Sequence, residues 1–168
     1  MTRAAAIEGY KEYVDLHISN VKRAFKEFGE ELCKRLSIDM RKLEWQIEDH
    51  DRSKYTEEEF NGYRLNFYKS DEDEESEEEV AGLFDKAWLH HCQVNSHHPE
   101  FWLYEDEKGN IQAYPMPRYA IAEMLLDWQA MGYTHNDNAY LYWNSDKCVK
   151  PLNPATTEIV NSVIDIFK

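Results

Sequence analysis

The chain is expected to fold as a mainly α structure, a helical bundle with a small accessory β-hairpin. Three observations point there. Apolar residues recur three or four positions apart along most of the sequence, the period of helices that bury one face. Capping residues stand where those stretches begin and end. Only the stretch near 101–114 has the turn-flanked pattern of a short hairpin. A length of 168 residues is enough for one domain with a sizeable core, so residues 1–168 are read as a single domain.

Along the chain, Tyr10, Val14, Ile18, Val21, Phe25, Phe28 and Leu32 trace one amphipathic helix from about Tyr10 to Leu36, with His17 on its buried stripe. Met40, Leu43 and Ile47 trace a shorter helix leading to His50 and Asp51. Thr56-Glu-Glu-Glu59 has the spacing of a capping box and predicts a helix from there to about Lys69. Eight acids in the nine positions Asp71 to Glu79 repel one another and are read as a solvated acidic loop at about 70–79. Val80, Phe84, Ala87, His91 and Val94 form the next stripe. At ~100° per residue His91 falls near its centre and His90 at its edge.

The helix is expected to stop before Ser96-His97-His98-Pro99, because a residue preceding proline is driven out of helical geometry. Phe101 to Tyr104 and Ile111 to Tyr114 flank the turn-rich Glu105-Asp-Glu-Lys-Gly-Asn110 and read as the hairpin. Pro117 opens a helix carrying Ile121, Met124, Leu125, Trp128 and Met131 and ending at Gly132, with Asp127 close to the buried side. Asn153-Pro154, an N-cap followed by proline, opens the last helix, with Ile159, Val163, Ile166 and Phe167 inward.

Composition narrows the function classes. The formal charge is -14; without the acidic run it is about -6, so the acidity is largely local. No cluster of Lys and Arg offers the basic footprint that duplex DNA or long RNA requires, so a nucleic-acid polymer is excluded as the expected partner. Cys33, Cys92 and Cys148 are odd in number and not in CxxC pairs, which predicts neither a disulfide framework nor a thiolate zinc site. With no signal-peptide core and no apolar run that could span a bilayer, no membrane role is expected and the cytoplasm is the predicted location. Oligomeric state is left open, a homo-oligomer included.

The histidines carry the chemistry. Of seven, six are His17, His50 and the doublets His90-His91 and His97-His98. A single imidazole on a buried stripe can be a satisfied core residue. Several helices each delivering a His or Asp to an apolar face are another matter, because burying many ionisable groups costs several kcal/mol each unless something shared neutralises them. A divalent cation does so, and imidazole with carboxylate suits Mn, Fe, Co, Ni or Zn. The candidate ligands are His17, His50, Asp51, His91, His97, His98 and Asp127.

The order His17, then His50-Asp51, then histidines, then Asp127 resembles the HD-domain superfamily of metal-dependent phosphohydrolases, over roughly residues 10 to 131. More specifically it resembles an uncharacterised bacterial and phage group marked by HDxSK, WxHH…NxHHPE and EMxxDW. These read here as His50-Asp51-Arg52-Ser53-Lys54, Trp88-Leu89-His90-His91, Asn95-Ser96-His97-His98-Pro99-Glu100 and Glu123-Met124-Leu125-Leu126-Asp127-Trp128. The resemblance implies an HD-like helical bundle with one or two divalent ions. His17, His50, Asp51 and Asp127 would hold the first, with Asp51 as bridge. His91 and either His97 or His98 would hold the second.

It also implies hydrolysis of a nucleotide or other small phosphorylated substrate, in the bacterial host cytoplasm if the chain is phage-encoded. Asp51, Lys54 and Glu123 are the candidate catalytic residues. Lys54 would offset charge on the transferring phosphoryl group; its alternative is a surface lysine. Glu123, one helical turn before Asp127, would orient a ligand or act as base, or else be solvated. Trp88, Trp102, Trp128 and Tyr119 could stack on a base or simply fill the core. The rival functions are a di-iron oxygenase on the same His/Asp shell and a non-catalytic, sponge-like nucleotide-binding protein.

Overall fold

A computed structural model describes residues 1–168, which are mainly helical with one two-stranded hairpin. Seven α-helices follow in order: α1 (Arg3–Leu36), α2 (Met40–Glu48), α3 (Phe60–Phe67), α4 (Glu77–Val94), α5 (Arg118–His135), α6 (Ala139–Trp143) and α7 (Pro154–Val163). Strands β1 (Leu103–Glu105) and β2 (Ile111–Ala113) lie between α4 and α5 and pair antiparallel, Tyr104 opposite Gln112. Short 3-10 turns at Arg52–Tyr55, Pro99–Trp102 and Ile164–Phe167 complete the chain. No helix is long and apolar enough to cross a membrane. The residues fall into two units, Met1–Ile18 with Asp51–Asn95, and Ser19–His50 with Ser96–Lys168.

In the first unit, Tyr10 and Val14 of α1 pack with Tyr63 of α3 and Ala87 of α4. The helices α3 and α4 approach closely at Gly62, where an added Cβ would stand 2.5 Å from the Leu83 carbonyl oxygen. Only glycine fits that gap.

The capping box is not where it was expected. Thr56 ends the preceding 3-10 turn, its hydroxyl donating to the Ser53 carbonyl, and α3 begins four residues later without a side-chain cap. Glu59 is completely buried and turned to other partners. The working box is Ser76 with Glu79: Glu79 N–H donates to Ser76 Oγ, and Ser76 N–H to Glu79 Oε2 at 2.8 Å.

That box shortens the acidic loop, since Glu77, Glu78 and Glu79 form the first turn of α4, where the helix dipole favours carboxylates. Nor is the loop wholly solvated. The Asp73 carboxylate is buried, with Oδ1 accepting from Arg3 Nε at 3.0 Å and Oδ2 accepting from Arg64, Ser70 N–H and Ser70 Oγ. The Arg64 guanidinium holds the Asp73 carboxyl well below the usual carboxylate range, against a smaller opposing effect of burial.

A depressed carboxyl contributes stability that is fully present above its unfolded value of about 3.9 and is lost as pH falls through the native value. Asp73→Asn is therefore expected to melt lower than the parent protein at pH 7, and the gap is expected to narrow below about pH 4. Thermal melts at the two pH values check this; a gap that widens in acid would refute it.

The second unit holds the larger core. Val21, Phe25 and Leu32 of α1, Leu43 and Ile47 of α2, Ile121, Met124, Leu125 and Leu126 of α5, and Val160, Val163 and Phe167 near the C-terminus are buried together. Asp39 caps α2, accepting from Lys42 N–H, and its own N–H donates to the Tyr119 hydroxyl. Asn153 caps α7 as expected, and its side-chain amide donates to the Ala113 carbonyl, fastening β2. The helix α5 runs three residues past its expected end at Gly132, to His135, and is capped by left-handed Asn136. Gly132 instead faces the Asp137 carbonyl, which an added Cβ would overlap. Trp128 belongs to the core, Trp102 and Tyr119 pack at its margin, and Trp88 is part-exposed on α4.

Candidate metal centre

Asp51 is the hub of the first unit's polar cluster. Its backbone is left-handed, φ 55°, and it caps the 3-10 turn Arg52–Tyr55. An aspartate accepts that conformation more readily than most residues. The turn brings Lys54 Nζ to 2.8 Å from Asp51 Oδ2. His17 Nε2, from α1, is 3.4 Å from Oδ2, and His91 Nε2, from α4, is 3.4 Å from Oδ1. All three of His17, Asp51 and His91 are buried. Two donor atoms each about 2.1 Å from a tetrahedral ion stand about 3.4 Å apart, so these are spacings that ligands of one ion adopt.

Glu59 completes this cluster, and the sequence reading missed it. Its oxygens stand 2.8 Å from His90 Nδ1 and 2.8 Å from His91 Nδ1. Asn95 Nδ2 and Ser53 Oγ lie 3.0 and 3.3 Å from the same His91 Nδ1. Burial raises the Glu59 carboxyl, but hydrogen bonding and charge from His91, then Ser53 and His90, outweigh it, so its acidity is increased. A carboxylate is an acceptor only, so the bond to Glu59 holds the His91 proton on Nδ1. In the neutral ring that leaves Nε2 as a lone pair directed at another acceptor, Asp51 Oδ1. A cation relieves that opposition.

The second unit repeats the device. His50 Nδ1 is 2.7 Å from Glu123 Oε1, and His97 Nδ1 is 3.3 Å from the same oxygen. Gln46 donates to the other oxygen. Burial pushes the Glu123 carboxyl up, and the hydrogen bonds from His50 and His97 more than reverse this, to about 2. His50, His97 and Glu123 are buried, with ligand atoms within 4.8 Å of one another. His50 Nε2 faces Asp127 Oδ1 at 3.9 Å, and the rings of His97 and His98 are 4.4 Å apart. Asp127, expected close to the buried side of its helix, is partly exposed.

Buried His, Asp and Glu groups that could hold a metal ion are thus present. His17, Asp51, His91 and Lys54 come together in the first. His50, His97, Glu123 and Asp127 come together in the second, with His98 beside His97. Glu123 is not solvated, and it supports two imidazoles rather than one. A surplus buried glutamate three residues after Thr56 could have pointed to Glu59, had it not matched a helix start so well.

A helical protein with carboxylate-supported histidine clusters is the class that fold and site define. The family model described as a family of unknown function, DUF5662, matches residues 6–166, and the chain belongs to that family. No curated protein and no solved structure matches it.

Proposed function

We propose that the chain is a metal-dependent hydrolase of a small phosphate ester, a nucleotide or another phosphorylated metabolite. The observation that carries this reading is Asp51, whose two oxygens face His17 Nε2 and His91 Nε2 at ligand-to-ligand spacing with Lys54 against it. Asp51 would offer one oxygen beside His17 and the other beside His91, and His50, His97 and Asp127 offer donors in the second unit. An ion in such a site supplies Lewis-acid polarisation of a phosphoryl oxygen and a water activated near neutral pH. Lys54, whose side chain is 15% exposed and paired with Asp51, would meet an anion entering beside Asp51. Glu59 and Glu123 fix the proton on Nδ1 of the imidazoles and so keep Nε2 available.

Elemental analysis of the purified protein, joined to a phosphatase screen over nucleotides and sugar phosphates with Mn, Ni, Co, Zn or Fe supplied, tests the reading. At least one ion per chain and turnover of one ester class are expected. Metal without turnover of any ester would sink the hydrolase reading. Tightly held iron with a visible or EPR signature would then indicate oxygen chemistry, and tight nucleotide binding without product a binding protein.

Lys54→Ala is expected to leave metal content unchanged while cutting kcat/KM by roughly 10²–10³, the loss of one preorganised charge stabiliser. Full turnover in that variant would remove Lys54 from the mechanism.

A further inference from the structure

We propose that a pocket in the second unit binds a phosphate monoester whose alcohol carries a planar ring, with Lys147 and Lys150 as counter-charges and Trp128 and Tyr142 as the ring's platform. The pocket has a volume of about 570 Å³ and also reaches His97 and Asp127. That is within the range of clefts that enclose small ligands, roughly 300–1,000 Å³. The inference rests on the hydrolase reading only for what happens to the ligand after it binds.

Two cations at one pocket stand out in a chain of net charge -14. Lys150 Nζ is 3.3 Å from Glu100 Oε1, a single partly exposed pair that a phosphate dianion can compete for. The platform is firm: Trp128 meets Tyr142 edge-on with centroids 5.1 Å apart and is stacked on Trp143 at 5.9 Å. Two polar side chains of the lining, Asp137 and Asn138, are engaged with the backbone. Asp137 Oδ1 accepts from Asn138 N–H and Asn138 Oδ1 from Leu141 N–H, at 2.8 Å each. A ring is therefore better matched to this wall than a bare sugar. The two lysines suit one phosphate and form no track for a polymer.

Isothermal titration of the full chain with AMP, adenosine and ribose 5-phosphate tests the assignment. AMP is expected to bind at least about 10-fold more tightly than either fragment, because it alone combines base stacking with the phosphate contact. The double variant Lys147→Ala/Lys150→Ala is expected to lose AMP affinity about 10-fold or more and to keep its affinity for adenosine. Tyr142→Leu, which keeps bulk and removes the ring face, is expected to weaken AMP and adenosine alike. Equal binding of AMP and ribose 5-phosphate, or AMP affinity untouched in the lysine variant, would overturn the proposal.

The two readings fail separately. AMP bound in this pattern with no ester hydrolysed leaves the pocket standing and removes the hydrolase. Hydrolysis of a ring-bearing ester with parental KM in the lysine variant keeps the hydrolase and removes the pocket.

Discussion

Asp51→Asn is expected to abolish the thermal stabilisation that added metal would give the parent protein. An ion that binds only the folded chain, supplied at 100 times its Kd, stabilises by about 2.7 kcal/mol, which for a chain of this size is a rise of roughly 5–10 °C. The substitution is chosen for its backbone as much as its charge. Asparagine tolerates the left-handed conformation at φ 55° and has the same shape, so the turn that carries Lys54 is preserved. What it removes is the anion that faces His17 and His91. Metal titrations followed by differential scanning fluorimetry read the effect directly; an equal rise in parent and variant would show that Asp51 holds no ion.

Glu59→Gln is expected to lower metal affinity by about 10–100-fold although the residue is no ligand. The cause is tautomeric. The carboxylate accepts from both His90 and His91, whereas a glutamine amide must turn its NH₂ toward one of the two rings. If that ring is His91, the proton moves to Nε2 and the lone pair that should meet the metal is gone. Nitrogen chemical shifts of the His91 ring report the change independently of activity. Glu59→Ala is expected to cost more in folding, about 3–5 kcal/mol, because both imidazoles lose their buried partner. Parental metal affinity together with a shifted tautomer would show that the His91 Nε2 lone pair is not needed.

The two glutamates also show what local sequence conveys and what it does not. Thr56-x-x-Glu59 and Ser76-x-x-Glu79 have the same spacing and residue chemistry, yet only the second is a cap. The competing partners of Glu59 lie 31 and 32 residues away, beyond any window that reads helix ends. Periodicity did better where burial alone decides. It placed His17 and His91 on inward stripes and His90 at an edge, because a helical angle depends only on residue count. It failed for Val94, which follows the stripe but is half-exposed at the last residue of α4. The acidic run misled for another reason: its charge density describes the average residue, while Asp73 is bound by Arg3 and Arg64, one from the start of α1 and one from α3.

The pairing of Glu59 and Glu123 with imidazoles bears on how the protein would be loaded. Each carboxylate meets its desolvation cost within the protein, so folding need not wait for an ion. On the proposed reading the metal is a late and exchangeable occupant, unlike the ion of a zinc finger, whose fold forms only around it. Which first-row ion it is would then follow supply and the Irving–Williams order, so the metal content of a preparation would record the growth medium as much as the site.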